Sequence, residues 1–302
     1  MAAVYIDGVF SGGGIKGIAL VGAIKEIENR GYQFKRVAGA SAGAIIAALI
    51  AAKYTSKEIE QLLDELDLNI LLDERKTIIP YSVAKWMLLY FRLGLYKGNE
   101  LEKWLANVLE KKGLRTFADL PRQQLRFVAS DITNGRLIVL PDDLIKYGID
   151  PNSFPIAKAV RMSCSLPYFF EPVTLKSNNE ASIIVDGGVL SNFPMWLFDD
   201  DHVDRVRPVI GIKLSPNLKE IPKNKINNAI QLFGALFETM KDAHDARYIS
   251  RKHEKDIIFI PTSGVATTEF TLTEAKKQLL IKQGRDSAKK FFETWRFNKK
   301  VI

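Results

Sequence analysis

Val37-Ala38-Gly39-Ala40-Ser41-Ala42-Gly43-Ala44-Ile45-Ile46-Ala47-Ala48-Leu49 is the stretch on which the fold turns. A short apolar piece runs into Gly-Ala-Ser-Ala-Gly, and a run of helix formers follows. That order suits a nucleophile elbow: a buried strand, a turn too sharp for large side chains, then a helix. The residue at the tip of such a turn carries strained backbone, so only small neighbours fit, and Ser41 has Ala and then Gly on both sides. At the tip, Ser41 Oγ would sit near a helix N-terminus, where amide dipoles favour developing negative charge. The competing reading is a small-residue helix start that Ser41 merely caps.

Upstream, Val4 to Phe10 reads as a strand entering Ser11-Gly12-Gly13-Gly14-Ile15-Lys16-Gly17. Ile18 to Arg30 then repeats its apolar positions at close to a helical period, and Gly31 stops it. Strand, glycine loop, helix and a second strand ending at Ser41 make a βαβ beginning and predict a parallel sheet. Gly12-x-Gly14-x-x-Gly17 formally matches a dinucleotide fingerprint. An acidic residue for the ribose should follow about 20 residues on, and residues 34 to 44 offer Lys35 and Arg36 but no Asp or Glu. A Walker A loop is equally absent. Three consecutive glycines instead offer a nest of backbone N–H groups, with Lys16 beside them, able to hold an oxyanion next to Ser41.

The 302 residues suffice for one large α/β domain. Apolar content of 47% and charged content of 26% are ordinary for a globular protein. A single cysteine, Cys164, excludes an internal disulfide framework and a cysteine-based zinc site, and it reads as a buried spectator. Net charge of +8 favours anionic partners, but no zinc finger, RNP-type strand or repeated basic face argues for nucleic acid. The first residues lack a basic segment followed by a long apolar core, and no uncharged run reaches the ~18 residues of a membrane span. The expected location is cytoplasmic, peripheral at the membrane.

Further along, Ser56 is expected to cap a helix through Leu66, and Asn99 another through Leu109. Residues 78 to 97 combine Trp86, Met87, Tyr90, Phe91 and Tyr96 with Lys85, Arg92 and Lys97. They read first as a core-packing helix and second as an interfacial helix or a lid. Leu125–Asp131 and Arg136–Leu140 form a hairpin around Asn134-Gly135, with Asp131 structural. Ala157 to Pro172 is a short helix breaking into an aromatic loop. Ile183 to Val185 is a short strand ending at Asp186-Gly187-Gly188. Two more strands are expected at Val209–Leu214 and Ile257–Ile260, a helix between them from Ile226 to Met240, and a last helix from Thr273 to about Trp295.

Ser41 needs a base. His202, His244 and His253 are the three histidines, and all fall in segments that read as charged surface. Asp186 lies at a strand end, where partial burial of a carboxylate lets it act as base directly. That points to a Ser–Asp dyad, with a Ser…Asp…His triad as the less supported alternative.

The three motifs in this order, Gly12-Gly13-Gly14-Ile15-Lys16-Gly17, Gly39-Ala40-Ser41-Ala42-Gly43 and Asp186-Gly187-Gly188, resemble the signatures of the patatin-like phospholipase family, bacterial type. Ser165-Leu166-Pro167-Tyr168-Phe169-Phe170-Glu171-Pro172 and Asn192-Phe193-Pro194 are also similar to the family pattern. The resemblance covers roughly residues 4 to 215. It implies an α/β fold, a three-layer α/β/α sandwich with a mostly parallel central sheet, in one domain spanning residues 1–302. It also implies hydrolysis of lipid acyl esters without cofactor or metal: Ser41 as nucleophile, Asp186 as base, Gly12, Gly13 and Gly14 as oxyanion donors with Lys16 at the family's basic position, and Gly39 and Gly43 shaping the elbow. Calcium is not expected. The expected partner is a lipid at a membrane surface. The alternative is a catalytically silent lipid- or membrane-binding module using the same pocket.

Overall fold

The computed structural model describes residues 4–66, 71, 73, 81–177, 180–199, 207–216, 226–227, 231–232, 234–236, 239–240, 254–262 and 272–296. The expected helix from Ile226 to Met240 is described only in part, with helix at residues 231–232, 234–236 and 239–240, and residues 78–80 and all three histidines fall outside.

Strand β1 (Val4–Phe10) leads through a 3-10 turn at Gly14–Gly17 into α1 (Ile18–Asn29), then β2 (Tyr32–Gly39) and α2 (Ala42–Ala51). After α3 (Ser56–Glu65) come α4 (Tyr81–Arg92), β3 (Gly94–Tyr96), α5 (Asn99–Glu110), β4 (Leu125–Asp131) and β5 (Arg136–Leu140). The chain continues with α6 (Ile156–Ser163), β6 (Tyr168–Phe170), β7 (Val173–Ser177), β8 (Glu180–Asp186), β9 (Val209–Pro216), β10 (Ile257–Thr262) and α7 (Glu274–Thr294).

The central sheet has the order β10-β9-β1-β2-β4-β8-β7, with β5 also on β4. Its pairs from β10 through β4 are parallel, and the β4–β5, β4–β8 and β7–β8 pairs are antiparallel. This is the expected mixed α/β class, a central and mostly parallel sheet flanked by helices. Strands buried on both faces read as unbroken apolar runs, and β1 divides its side chains accordingly. Ile6 and Phe10 enter the main core with α1, α2 and α7, whereas Val9 packs on the other face with Phe193, Met195 and Phe198. The one acid in β1, Asp7, is fully buried and paired with Arg36 at 2.5 Å and Arg207 at 3.2 Å.

Several local expectations shift. Thr55, not Ser56, caps α3, in a capping box with Glu58. Ser56 instead donates from its backbone N–H and its hydroxyl to Glu28. Gly98, in left-handed backbone, precedes α5 where Asn99 was expected to cap. The hairpin has its expected limits, and Asp131 is structural: buried, it accepts from Asn134 and from the Tyr147 hydroxyl at 2.6 Å. The first reading of residues 78 to 97 does not hold for the Tyr90–Phe91 face of α4, while Leu88 and Leu89 are half-buried. Tyr90 is 79% exposed and Phe91 70%, so this face packs on no core.

Candidate active site

The loops after β1 and β2 lie side by side because these strands pair in parallel, with Phe10 opposite Gly39. Gly39 in turn pairs with Phe127 of β4, and Asp186 pairs with Ala129 two residues further along β4. The glycine loop, Ser41 and Asp186 thereby meet at the carboxyl edge of the parallel strands, the usual ligand side of such sheets. Folding brings Ser41 and Asp186 to this edge from positions 145 residues apart.

Ser41 has φ 52° and ψ −127°, a conformation that side-chain-bearing residues rarely adopt. It occupies the N-cap position of α2 but makes no side-chain cap bond, so the reading of Ser41 as a simple helix cap fails. Its backbone is held from below. The amide donates to Ser163 Oγ at 3.0 Å, Ser163 Oγ donates to the Val128 carbonyl at 2.7 Å, and the Cys164 thiol donates to the Ser41 carbonyl at 3.2 Å. Among the described residues Ser41 Oγ makes no hydrogen bond, and Ser41 lines a cavity of about 130 Å³. Gly43 is dictated by contact: a Cβ there would strike the Phe10 and Ser11 carbonyls.

Asp186 is 1% exposed. Its amide donates to the Ser165 carbonyl at 2.9 Å, its carbonyl accepts from Ser130 Oγ at 3.0 Å, and its Oδ1 accepts from the Gly188 amide at 2.7 Å. The carboxylate is thus rigidly set, and it lines the same cavity as Ser41.

In the glycine loop, the Gly12 amide donates to the Asn192 carbonyl at 3.0 Å, and a Cβ on Gly12 would stand 3.0 Å from Ser41 Cβ. Gly13 and Gly14 line the cavity; Gly12 and Lys16, in the same loop, are not among its lining residues. Strand β9 anchors this loop: Ser11 N–H donates to the Ile212 carbonyl at 3.1 Å, and Ser11 Oγ accepts from the Leu214 amide at 2.9 Å. Apart from Asn192 the rest of the wall is mainly apolar, with Ile45, Leu63, Leu101, Trp104, Leu166, Phe169 and Phe170. Cys164 also lines it, and burial first, then the Asp186 charge, pushes its thiol well above the ordinary range.

Sequence reasoning missed the supports. Arg161 is 3% exposed and donates to Ser165 Oγ at 2.5 Å and to the Lys97 and Glu171 carbonyls at 2.6 Å each. It therefore ties the aromatic loop to the residue that receives the Asp186 amide. Nothing local marks Ser163, Arg161 or Leu214 as site residues; their part appears only once distant strands are paired. Among the described residues no group of three or more His, Cys, Asp or Glu could hold a metal ion.

A patatin-like phospholipase family model matches residues 8–199, a span that holds Gly12, Ser41 and Asp186. The chain belongs to the patatin-like phospholipase family. It is 57% identical over 293 residues to the protein YqhO of Bacillus subtilis, covering 97% of this chain and all of that one. It is 28% identical over 297 residues to the cUMP-AMP-activated phospholipase of Escherichia coli, covering 89% and 82% of the two chains. In fold it is similar to VipD from Legionella pneumophila, with a TM-score of 0.58 at 20% identity over 97% of this chain and 67% of that one.

Proposed function

We propose that this patatin-like protein is a serine-dependent lipid acyl hydrolase working through a Ser41–Asp186 dyad. The observation that carries the reading is the meeting of a strained, open serine and a buried, fixed carboxylate in the wall of one apolar cavity. The family and its phospholipase relative support lipid as the substrate class.

In this mechanism the acyl chain of a phospholipid or related lipid lies along Leu101, Trp104 and Phe169, with its ester carbonyl over Ser41. Asp186, through the oxygen not committed to Gly188, takes the Ser41 proton as Oγ attacks the carbonyl carbon. Proton transfer belongs to the substrate-bound state, in which catalytic hydrogen bonds tighten. The amides of Gly13 and Gly14 stabilise the tetrahedral oxyanion, each worth on the order of 10²–10³ in rate. Gly12 shapes the loop by giving its own amide to Asn192, and Lys16 adds positive charge on the next turn. The alcohol leaves with the proton from Asp186. Water, activated by the same carboxylate, then frees the fatty acid from the acyl-serine. No cofactor or metal enters these steps. The setting is cytoplasmic, at a membrane surface; among the described residues no helix is long and apolar enough to cross a membrane.

The test is hydrolysis of a p-nitrophenyl ester and of phospholipid vesicles by the purified protein, with a fluorophosphonate probe on Ser41. Turnover and labelling that both vanish in Ser41→Ala support the reading. Lipid binding without turnover or labelling would leave a silent lipid-binding module instead. Retained activity in Asp186→Asn with loss in His202→Ala would replace the dyad by a histidine triad.

A further inference from the structure

Helix α4 carries Met87, Tyr90 and Phe91 at 44, 79 and 70% exposure, and Leu93 just beyond it at 46%. The Tyr90 and Phe91 rings lie edge to face at 4.9 Å between centroids. Large apolar side chains left together in water usually mark a contact surface. The helix sequence, Tyr-Ser-Val-Ala-Lys-Trp-Met-Leu-Leu-Tyr-Phe-Arg, holds two cations, Lys85 and Arg92, and no acid. Aromatics with cations and without acids suit the headgroup level of an anionic bilayer, as does the net charge of +8.

This surface is continuous with the cavity. Only Leu93 separates α4 from β3, and β3 pairs in parallel with β6, Gly94 opposite Tyr168 and Tyr96 opposite Phe170. The Glu171 amide donates to the Tyr96 carbonyl at 2.8 Å, and the Tyr96 and Phe169 rings lie 4.8 Å apart. Phe169 and Phe170 line the cavity that holds Ser41 and Asp186. A lipid surface reached by α4 is therefore tied, through one short ribbon, to the wall that receives the acyl chain.

We propose that α4 is a docking helix for anionic phospholipid bilayers, inserting Tyr90 and Phe91 at the headgroup boundary and presenting the β3–β6 ribbon to the lipid. The proposal deepens the lipid acyl hydrolase reading and rests on it for its purpose, but docking itself needs no turnover. The test therefore uses the Ser41→Ala protein, sedimented with vesicles of phosphatidylglycerol and phosphatidylcholine or of phosphatidylcholine alone. Binding is expected to favour the anionic vesicles and to fall at least about tenfold with Tyr90→Asp/Phe91→Asp added. The same double variant with Ser41 intact keeps its turnover of p-nitrophenyl butyrate, which needs no bilayer. A second measurement uses Phe91→Cys carrying an environment-sensitive fluorophore, whose emission should shift to the blue on anionic vesicles. Absent vesicle binding, equal binding by the double variant, or an unshifted fluorophore overturns the proposal. A dimer lost in the double variant while vesicle binding persists would make α4 a face for a second copy, and would also overturn it. An absence of ester hydrolysis with vesicle binding intact would count against the hydrolase reading alone.

Discussion

The Ser41 amide donates to Ser163 Oγ at 3.0 Å, so the elbow is bolted to a hydroxyl that lies 122 residues later in the chain. This bond fixes backbone that would otherwise relax. Its φ of 52° costs roughly 1–3 kcal/mol in a residue with a side chain.

Relaxing that strain should stabilise the fold and end catalysis. Ser41→Gly removes the steric cost, offset by roughly 0.5–1 kcal/mol of added chain entropy in the unfolded state. No cap bond is lost, since Ser41 makes none. We expect Tm to rise by a few degrees, read by calorimetry, with ester turnover gone; Ser41→Ala should be equally inactive without the gain.

Asp186→Asn keeps an oxygen for the Gly188 amide and the same volume, so the turn at the end of β8 survives. It loses the proposed proton acceptor. We expect kcat to fall by on the order of 10²–10⁴, the share general-base catalysis contributes, with an unchanged melting curve.

Gly43→Ala and Gly12→Ala should separate stability from activity. At Gly43 the new methyl meets backbone carbonyls of Phe10 and Ser11, which cannot swing aside, and the cost is about 1–3 kcal/mol or more. At Gly12 the methyl meets the Asn192 side chain, which can move, and Ser41 Cβ at 3.0 Å. Gly12→Ala should fold with near-normal stability in urea yet lose on the order of 10²-fold in turnover, because the donor loop is displaced.

Asp131 sets an acid limit on stability. Burial pushes its carboxyl up, but bonds from Tyr147 and Asn134 and the Arg136 charge outweigh it and hold the group below its ordinary value. A lowered folded-state value gives stability that is present above about pH 4, the unfolded value, and is lost as pH falls through the folded one. Its partner Tyr147 is pushed up to about 12, by burial first and then by Asp131. Asp131→Asn should cost about 1–3 kcal/mol in urea unfolding at pH 7, and the gap to the unsubstituted protein should narrow by pH 3.

Cys164 should stay silent in the native protein. Its thiol is buried and pushed well above the ordinary range, so it is neutral at pH 7. Iodoacetamide is expected to label it only after denaturant is added, as read by mass spectrometry, and Cys164→Ala should change turnover by no more than a few-fold.

The site's motifs were legible in sequence because a tight turn writes its needs into adjacent residues: small ones around Ser41, glycines at 12 to 14, glycines after Asp186. Strand and helix limits were legible where periodicity was local, as in β1, the β4–β5 hairpin and α7. The supports were not, since Ser163, Arg161 and Leu214 look ordinary until β4, β8 and β9 are paired. Residues 78 to 97 were ambiguous for another reason. Apolar aromatics describe a surface that must leave water, and composition alone does not say whether protein or lipid covers it.

Strand β9 finishes what the motifs begin. Leu214 and Ile212 hold Ser11, and the Leu214 side chain fills the space a Cβ on Gly13 would take. During synthesis, a chain that has emerged only as far as Phe198 already carries the glycine loop, Ser41 and Asp186, yet β1 still has an open edge and its loop has no floor. The ribosome must deliver residues 209–216 before the donor loop is seated. The candidate site is thus completed by a strand that leaves the ribosome after all three of its motifs.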